Sequence, residues 1–235
     1  MKTKQSFFCR IKQLVNPIPQ GHEYFHGEWH GGIASYTYIP DADGKVQTLD
    51  GNFDYRLSYS GGRYDKVQGH MYQGKKDGDW MFTHKGNSQR QLKAHFLGGR
   101  LSGLLEYTSK EESIGSLWQN KLIANLENDC ILGQVEGVLF GWKLSGYCDQ
   151  QGLADGEWTL SWTERGEMQT IRREQWSHGV LQSSVEEDLF KKKRLEKSVN
   201  IARQVNLLFD SDIRQLMKLM PEGSRTTRVR IIPEE

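Results

Sequence analysis

Gln73-Gly74-Lys75-Lys76-Asp77-Gly78-Asp79-Trp80 is the stretch on which the reading of the fold turns. A glycine that tolerates positive φ, three polar residues, a second small residue and an aromatic two positions on is the grammar of a tight turn that launches a strand. The phrase recurs loosely at Gly98–Leu105, Gln119–Leu126, Gln151–Trp158 and His178–Val185, and weaker copies end in Gly27-Glu28-Trp29 and Gly51-Asn52-Phe53. With the small residue as anchor, the copies stand at 27, 51, 78, 103, 124, 156 and 183, six steps with a mean of 26 residues. A period of that size marks stacked supersecondary units.

Each copy obeys the same local physics. Gly74, Gly99, Asn120, Gly152 and Gly179 stand four residues before their anchors, where a hairpin connection is expected. Two residues after each anchor comes an apolar side chain: Trp29, Phe53, Trp80, Leu105, Leu126, Trp158 and Val185. The outgoing strand then alternates. Trp80 and Phe82 share one face while Met81 and Thr83 take the other; Leu105 with Tyr107, and Trp158 with Leu160 and Trp162, behave alike. The predicted fold is mainly β, an antiparallel meander of about seven stacked hairpins with one aromatic face. Between residues 124 and 156 the glycines Gly133, Gly137, Gly141 and Gly146 crowd the text, and strands there cannot be placed from the pattern.

The composition changes near residue 180. All glycines but Gly223, all seven tryptophans and all nine tyrosines come earlier. Beyond residue 186, Glu, Lys, Arg, Leu and Val favour helix. From Leu189, apolar residues follow at Leu195, Val199, Ala202, Val205, Phe209, Ile213, Leu216 and Met220, in steps that mark one helical face. Glu186, Glu187 and Asp188 suit its N-terminal dipole, Pro221 and Gly223 close it, and Ser211 in Asp210-Ser211-Asp212 is a candidate N-cap of a second helix. Arg228-Val229-Arg230-Ile231-Ile232 alternates as an edge strand does. Three divisions result: a basic N-terminal extension 1–20, a β-hairpin repeat domain 21–186, and a helical tail 187–235 with a short terminal strand.

The 235 residues carry 31 Lys+Arg against 30 Asp+Glu, a net +1, which argues against a general polyanion binder. Nucleic acid is therefore not expected. Lys191-Lys192-Lys193-Arg194 reads as a solvated helix face. Lys2, Lys4, Arg10 and Lys12 with Phe7 and Phe8 leave a membrane surface as a lesser alternative. No apolar run approaches a membrane span. Cys9, Cys130 and Cys148 form no Cys-x-x-Cys, which points to a reducing cytoplasm.

Chemistry is hard to find. His22, His26 and His30 are spaced by four, but a strand would hold them about 13 Å apart, too far to share an ion. His70, His84, His95 and His178 fall in separate copies, and His70 reads as pairing with a polar residue across strands. Asp41-Ala42-Asp43-Gly44 lacks the later oxygens of a calcium loop and reads as a turn. No nucleophile elbow, phosphate loop, zinc-protease pair or dinucleotide fingerprint is present. No cofactor, metal or catalytic residue is expected. The functional candidates are the aromatics Trp80, Phe82, Trp158 and Trp162, either gripping a partner or filling the interface between the sheet and its helix.

The Gly-Lys-x-x-Gly-x-Trp pattern of Gly74–Trp80, with Tyr72-Gln73-Gly74 before it and Phe96-Leu97-Gly98 as its relative in the next copy, resembles the MORN repeat. The likeness extends over roughly residues 21 to 186 and is greater to the degenerate bacterial, antitoxin-like variant. It implies a single-layer sheet of hairpins that binds proteins or membrane lipids and carries no chemistry. The function expected is a non-catalytic module for protein–protein interaction, an inhibitor or a scaffold. The alternatives are a membrane-lipid binding module and a hydrolase or sugar-processing enzyme with a site assembled across strands. The expected partner is another protein, and the helical tail offers a route to a homodimer.

Overall fold

The computed structural model describes residues 17–113, 116–164, 167–186, 200–219 and 229–233. Its strands are β1 (Glu23–Trp29), β2 (Gly32–Pro40), β3 (Gln47–Ser58), β4 (Tyr64–Tyr72), β5 (Lys75–Lys85), β6 (Ser88–Leu97) and β7 (Arg100–Ser113). They continue as β8 (Ser116–Glu127), β9 (Cys130–Leu139), β10 (Trp142–Cys148), β11 (Ala154–Glu164), β12 (Glu167–Ser177) and β13 (Val180–Glu186). All thirteen form one sheet in chain order, each antiparallel to the next, so the predicted meander is the fold. A helix follows: α1 (Ile201–Leu208), a π-helical turn (Phe209–Ile213) and α2 (Arg214–Met217).

The hairpin tips explain half of the repeat. At Gln73-Gly74, Gly98-Gly99, Asn128-Asp129 and His178-Gly179 both residues have positive φ, the two-residue turn whose twist matches that of the strands. Each tip is also clamped to the hairpin before it. The Gly74, Gly99 and Gly179 N–H groups donate to the carbonyls of Leu49, Lys76 and Ala154, each at 2.8 Å. Beside them, the Gln73, Gly98 and His178 N–H groups donate to the carboxylates of Asp50, Asp77 and Asp155 at 3.2–3.3 Å. The Asp-Gly pair of the repeat is thus a receptor for the following turn.

The anchors serve another purpose than the turn itself. Gly51, Gly78, Gly103 and Gly156 lie within strands at positive φ, where the register shifts against the neighbouring strand, as between Gln68 and His70 opposite β5. They are β-bulges, which need that backbone and deepen the local twist. The copy placed at 119–126 is out of phase: Asn120 lies inside β8, the turn is Asn128-Asp129, and Gly133 is the anchor, with Val135 fully buried two residues on. Val185 is a second departure, 59% exposed. The bulge opposite Gln175 and Trp176 adds a single residue to β13 and flips the rest of that strand to the other face.

One face of the sheet holds the core. Along it run Phe25, Tyr36, Phe53, Trp80 and Phe82, each ring centroid 4.8–6.1 Å from the next. The helix covers this face from β5 onward and buries Ala202, Val205, Phe209, Ile213 and Leu216, five of the residues its spacing predicted. It touches β11 at one end and β5 at the other. Its N-terminus is capped from the sheet: Glu174 of β12, wholly buried, accepts the Ile201 N–H at 2.9 Å and the Trp176 indole N–H at 3.0 Å, and pairs with Arg172 at 3.0 Å. Midway, Tyr107 donates to Asp212 at 2.7 Å.

Ser211 caps no second helix. The chain runs through it as the π turn, and its hydroxyl donates to the Leu207 carbonyl. Residues 229–233 do not form the predicted strand but an irregular segment that bends at Ile231 and Ile232, with Ile231 buried, its carbonyl accepting from the Ala154 N–H and its N–H donating to Asn206. Lys2 to Lys12, Glu187 to Val199 with the basic cluster 191–194, and Met220 to Arg228 lie outside the described residues. Among the described residues no helix is long and apolar enough to cross a membrane.

Candidate binding surface

Trp80, Phe82 and Trp158 are 2%, 0% and 0% exposed, and Trp162 is half-buried against Trp142 with centroids 5.8 Å apart. The first three have no surface left to offer a partner while the helix is in place. Their role is packing. Trp80 lies flat over Gly69 of β4 and donates its indole N–H to the His70 carbonyl at 3.0 Å; Trp158 does the same over Gly146 of β10, donating to the Tyr147 carbonyl at 3.0 Å.

The histidines do not converge. His22 pairs with Asp50 at 3.0 Å, His84 with Asp65 at 2.6 Å, His95 with Asp79 at 2.8 Å and His178 with Asp149 at 2.7 Å, while His26 meets Ser35 at 2.7 Å. His70 stands opposite Asn52 and Asp77, polar neighbours as the pattern suggested. Among the described residues no group of three or more His, Cys, Asp or Glu side chains could hold a metal ion. Asp41 to Gly44 is a turn, closed by the Gly44 N–H on the Asp41 carbonyl at 3.0 Å and the Lys45 N–H on the Asp41 carboxylate at 2.7 Å.

The outer face of the sheet is where side chains stand free. A cleft of about 660 Å³ crosses β4 to β7 there. Gln68, Met81, Lys93 and Glu106 form one cross-strand row through it. Leu104, 48% exposed, lies on the Gly103 bulge, and Lys93 reaches Glu106 at 3.4 Å. Met81 and Leu104 supply an apolar floor, with the Lys93–Glu106 ion pair on one rim and the Asp79–His95 hydrogen bond on the other. Strand alternation alone places Met81 on the face opposite Trp80, but only the register joins it to Lys93 and Glu106.

No protein-family profile matches the chain, and no curated protein resembles it closely enough to count as a match. Its function must be read from the surface itself.

The titratable groups with large shifts lie away from this cleft. Burial lowers the Lys76 ammonium, under the Phe96 ring at 5.1 Å, to about 8. Burial also raises the Cys148 thiol to about 12, keeping it protonated and inert, and raises the Tyr107 hydroxyl, with the Asp212 contact adding to the effect. Lys76, Cys148 and Tyr107 belong to the core, while Tyr59, whose hydroxyl the hydrogen bond to Asp65 raises to about 12, stands exposed just after β3. The cleft has the make-up of a contact surface: an apolar centre, a polar rim and rigid strands beneath.

Proposed function

We propose that this chain is a non-catalytic docking module for another protein, and that its contact face is the outer side of β4 to β7. One observation carries the reading. From β5 to β12 the aromatic face is covered by the chain's own helix, whereas the opposite face holds the Met81–Leu104 cleft, open and bordered by polar side chains. The resemblance of Gly74–Trp80 to MORN-type repeats, above all the antitoxin-like variant, supports the same reading and suggests a scaffold or an inhibitor that acts by occupying its partner's surface. The free, exposed thiol of Cys130 suits a reducing setting, taken here as the cytoplasm.

The test replaces the floor of the cleft. Met81→Asp and Leu104→Asp together are expected to lower partner capture in quantitative cross-linking pull-downs at least tenfold, with the thermal midpoint unchanged. A captured set identical to that of the unaltered chain overturns the assignment of the face.

A further inference from the structure

Strand register sorts the outer-face charges in a way that the near-neutral sequence conceals. One cross-strand row reads Arg56, Lys66, Thr83, Gln91, Thr108, Lys121, Val138 and Lys143, from β3 to β10. The next row outward reads Ser58, Tyr64, Lys85, Gln89, Lys110 and Gln119, from β3 to β8. Neither contains a carboxylate along these spans. Arg56, Lys85, Lys110 and Lys143 are exposed, and Lys66 is held only loosely, 4.0 Å from Asp54. On the inner side, the row through the cleft brings the acids Asp54, Glu106 and Glu136. The outer face is therefore split into a basic band beside a mixed, acid-bearing half.

We propose that the basic band receives an extended acidic segment of the protein partner, laid across the strands next to the Met81–Leu104 cleft. The inference rests on the docking reading above and specifies its chemistry. From β3 to β10 is seven strand spacings, about 34 Å, the length of about ten extended residues. The band is two rows wide, which matches a single peptide chain. A nucleic-acid duplex or a membrane surface is broader and would overlie the carboxylates of the cleft row, where like charge repels. Single-stranded nucleic acid calls for stacking rings. In these rows the one aromatic is Tyr64, and the Arg56 guanidinium already covers it at 4.4 Å. The threonines and glutamines between the cations add hydrogen-bond donors for carboxylate oxygens.

The probe is a fluorescein-labelled peptide of alternating glutamate and serine, about ten residues long, titrated with the full chain and read by anisotropy. It is expected to bind at about 30 mM salt and to weaken at least tenfold at about 300 mM. The Lys85→Glu, Lys110→Glu double variant should bind at least tenfold less tightly with its melting midpoint unchanged. Arg173→Glu, on the same face beyond the band, should stay within twofold. Absence of peptide binding at low salt, or indifference to the Lys85 and Lys110 reversals, overturns the inference. If partner capture still depends on Met81 and Leu104 in that case, the docking reading survives alone. Tighter binding of oligothymidylate, or of phosphatidylserine vesicles, through the same lysines also overturns it and reassigns the band.

Discussion

At Gly69 an added Cβ would stand 2.1 Å from the Trp80 ring, and at Gly146 it would stand 2.2 Å from Trp158. Each indole lies on bare backbone, and the bulge in its own strand leaves the neighbouring carbonyl free to accept the ring N–H. Alanine at either glycine should therefore cost about 2–3 kcal/mol by overpacking, measured by urea unfolding, and a change below half of that would mean that the ring moves aside freely. The tryptophans could be picked out by their place in the repeat. Their glycine partners could not, because pairing Gly69 with Trp80 requires the register of two strands. A second residue-scale prediction concerns His178, whose hydrogen bond to Asp149 raises its pKa above the ordinary 6.5. The contribution of this group to stability is complete below 6.5 and is lost as pH rises through the folded value. Burial pushes Asp149 upward, but the Leu153 and Gln151 N–H groups and His178 outweigh it and leave the carboxyl below its ordinary 3.8. Its contribution is complete above 3.8 and is lost as pH falls through the folded value, so both are in force between those two ordinary values. The His178 ring resonances should titrate above 6.5, and Asp149→Asn should bring the midpoint back towards it.

Between elements, the critical joint is the helix N-terminus. Asn200 makes no side-chain cap; Glu174 does that work from β12, 27 residues away. Removing its carboxylate by Glu174→Ala breaks the buried ion pair with Arg172, whose side chain is 7% exposed, and takes the acceptor from the Ile201 N–H, a change that costs about 3–5 kcal/mol. Glu174→Gln retains an acceptor for the Ile201 N–H and should cost clearly less. Amide exchange across 201–208 separates the two: the alanine variant should lose protection there before the sheet does, and equal protection in both variants would show that the cap does not hold the helix. The buried stripe from Ala202 to Leu216 could be read from spacing alone, since three- and four-residue steps are a property of the helix itself. The cap could not, because its donor and acceptor come from different elements. Nor could the π turn, which arises where Asp210 pairs with Arg230 and Asp212 with Arg90 while Phe209 and Ile213 stay buried. The Asp-Ser-Asp text that suggested a break is held in a continuous helix by contacts distant in the chain.

In the whole molecule, a meander in strict chain order gives each strand only two neighbours, so stability along the sheet is set locally, as in other repeat arrays. The helix is the exception. It spans several strands, fixed by Glu174 on β12 at its start, by contact with β11, by Tyr107 on β7 and Arg90 on β6 at Asp212 past its middle, and by contact with β5 at its end. Strands β5 to β12 are thus tied together, while β1 to β3 depend on their own ladder and on the partly exposed rings of Phe25, Trp29 and Tyr38. The hairpin period could be seen in the sequence because each turn is local. The charge rows of the outer face could not, since Arg56 and Lys143 meet in one row only after seven pairings have been set. The tie also defines a stability gradient. Native-state hydrogen exchange should show the amides of β1 to β3 opening at lower free energy than those of β6 to β11. Tyr107→Phe removes the Asp212 bond and leaves the ring, so it should narrow the gap by about 1 kcal/mol, by weakening the central strands and leaving β1 to β3 unchanged. If the sheet instead exchanges as one unit, with the same free energy from β1 to β11, then the helix is a passive cover and the strands cooperate without it.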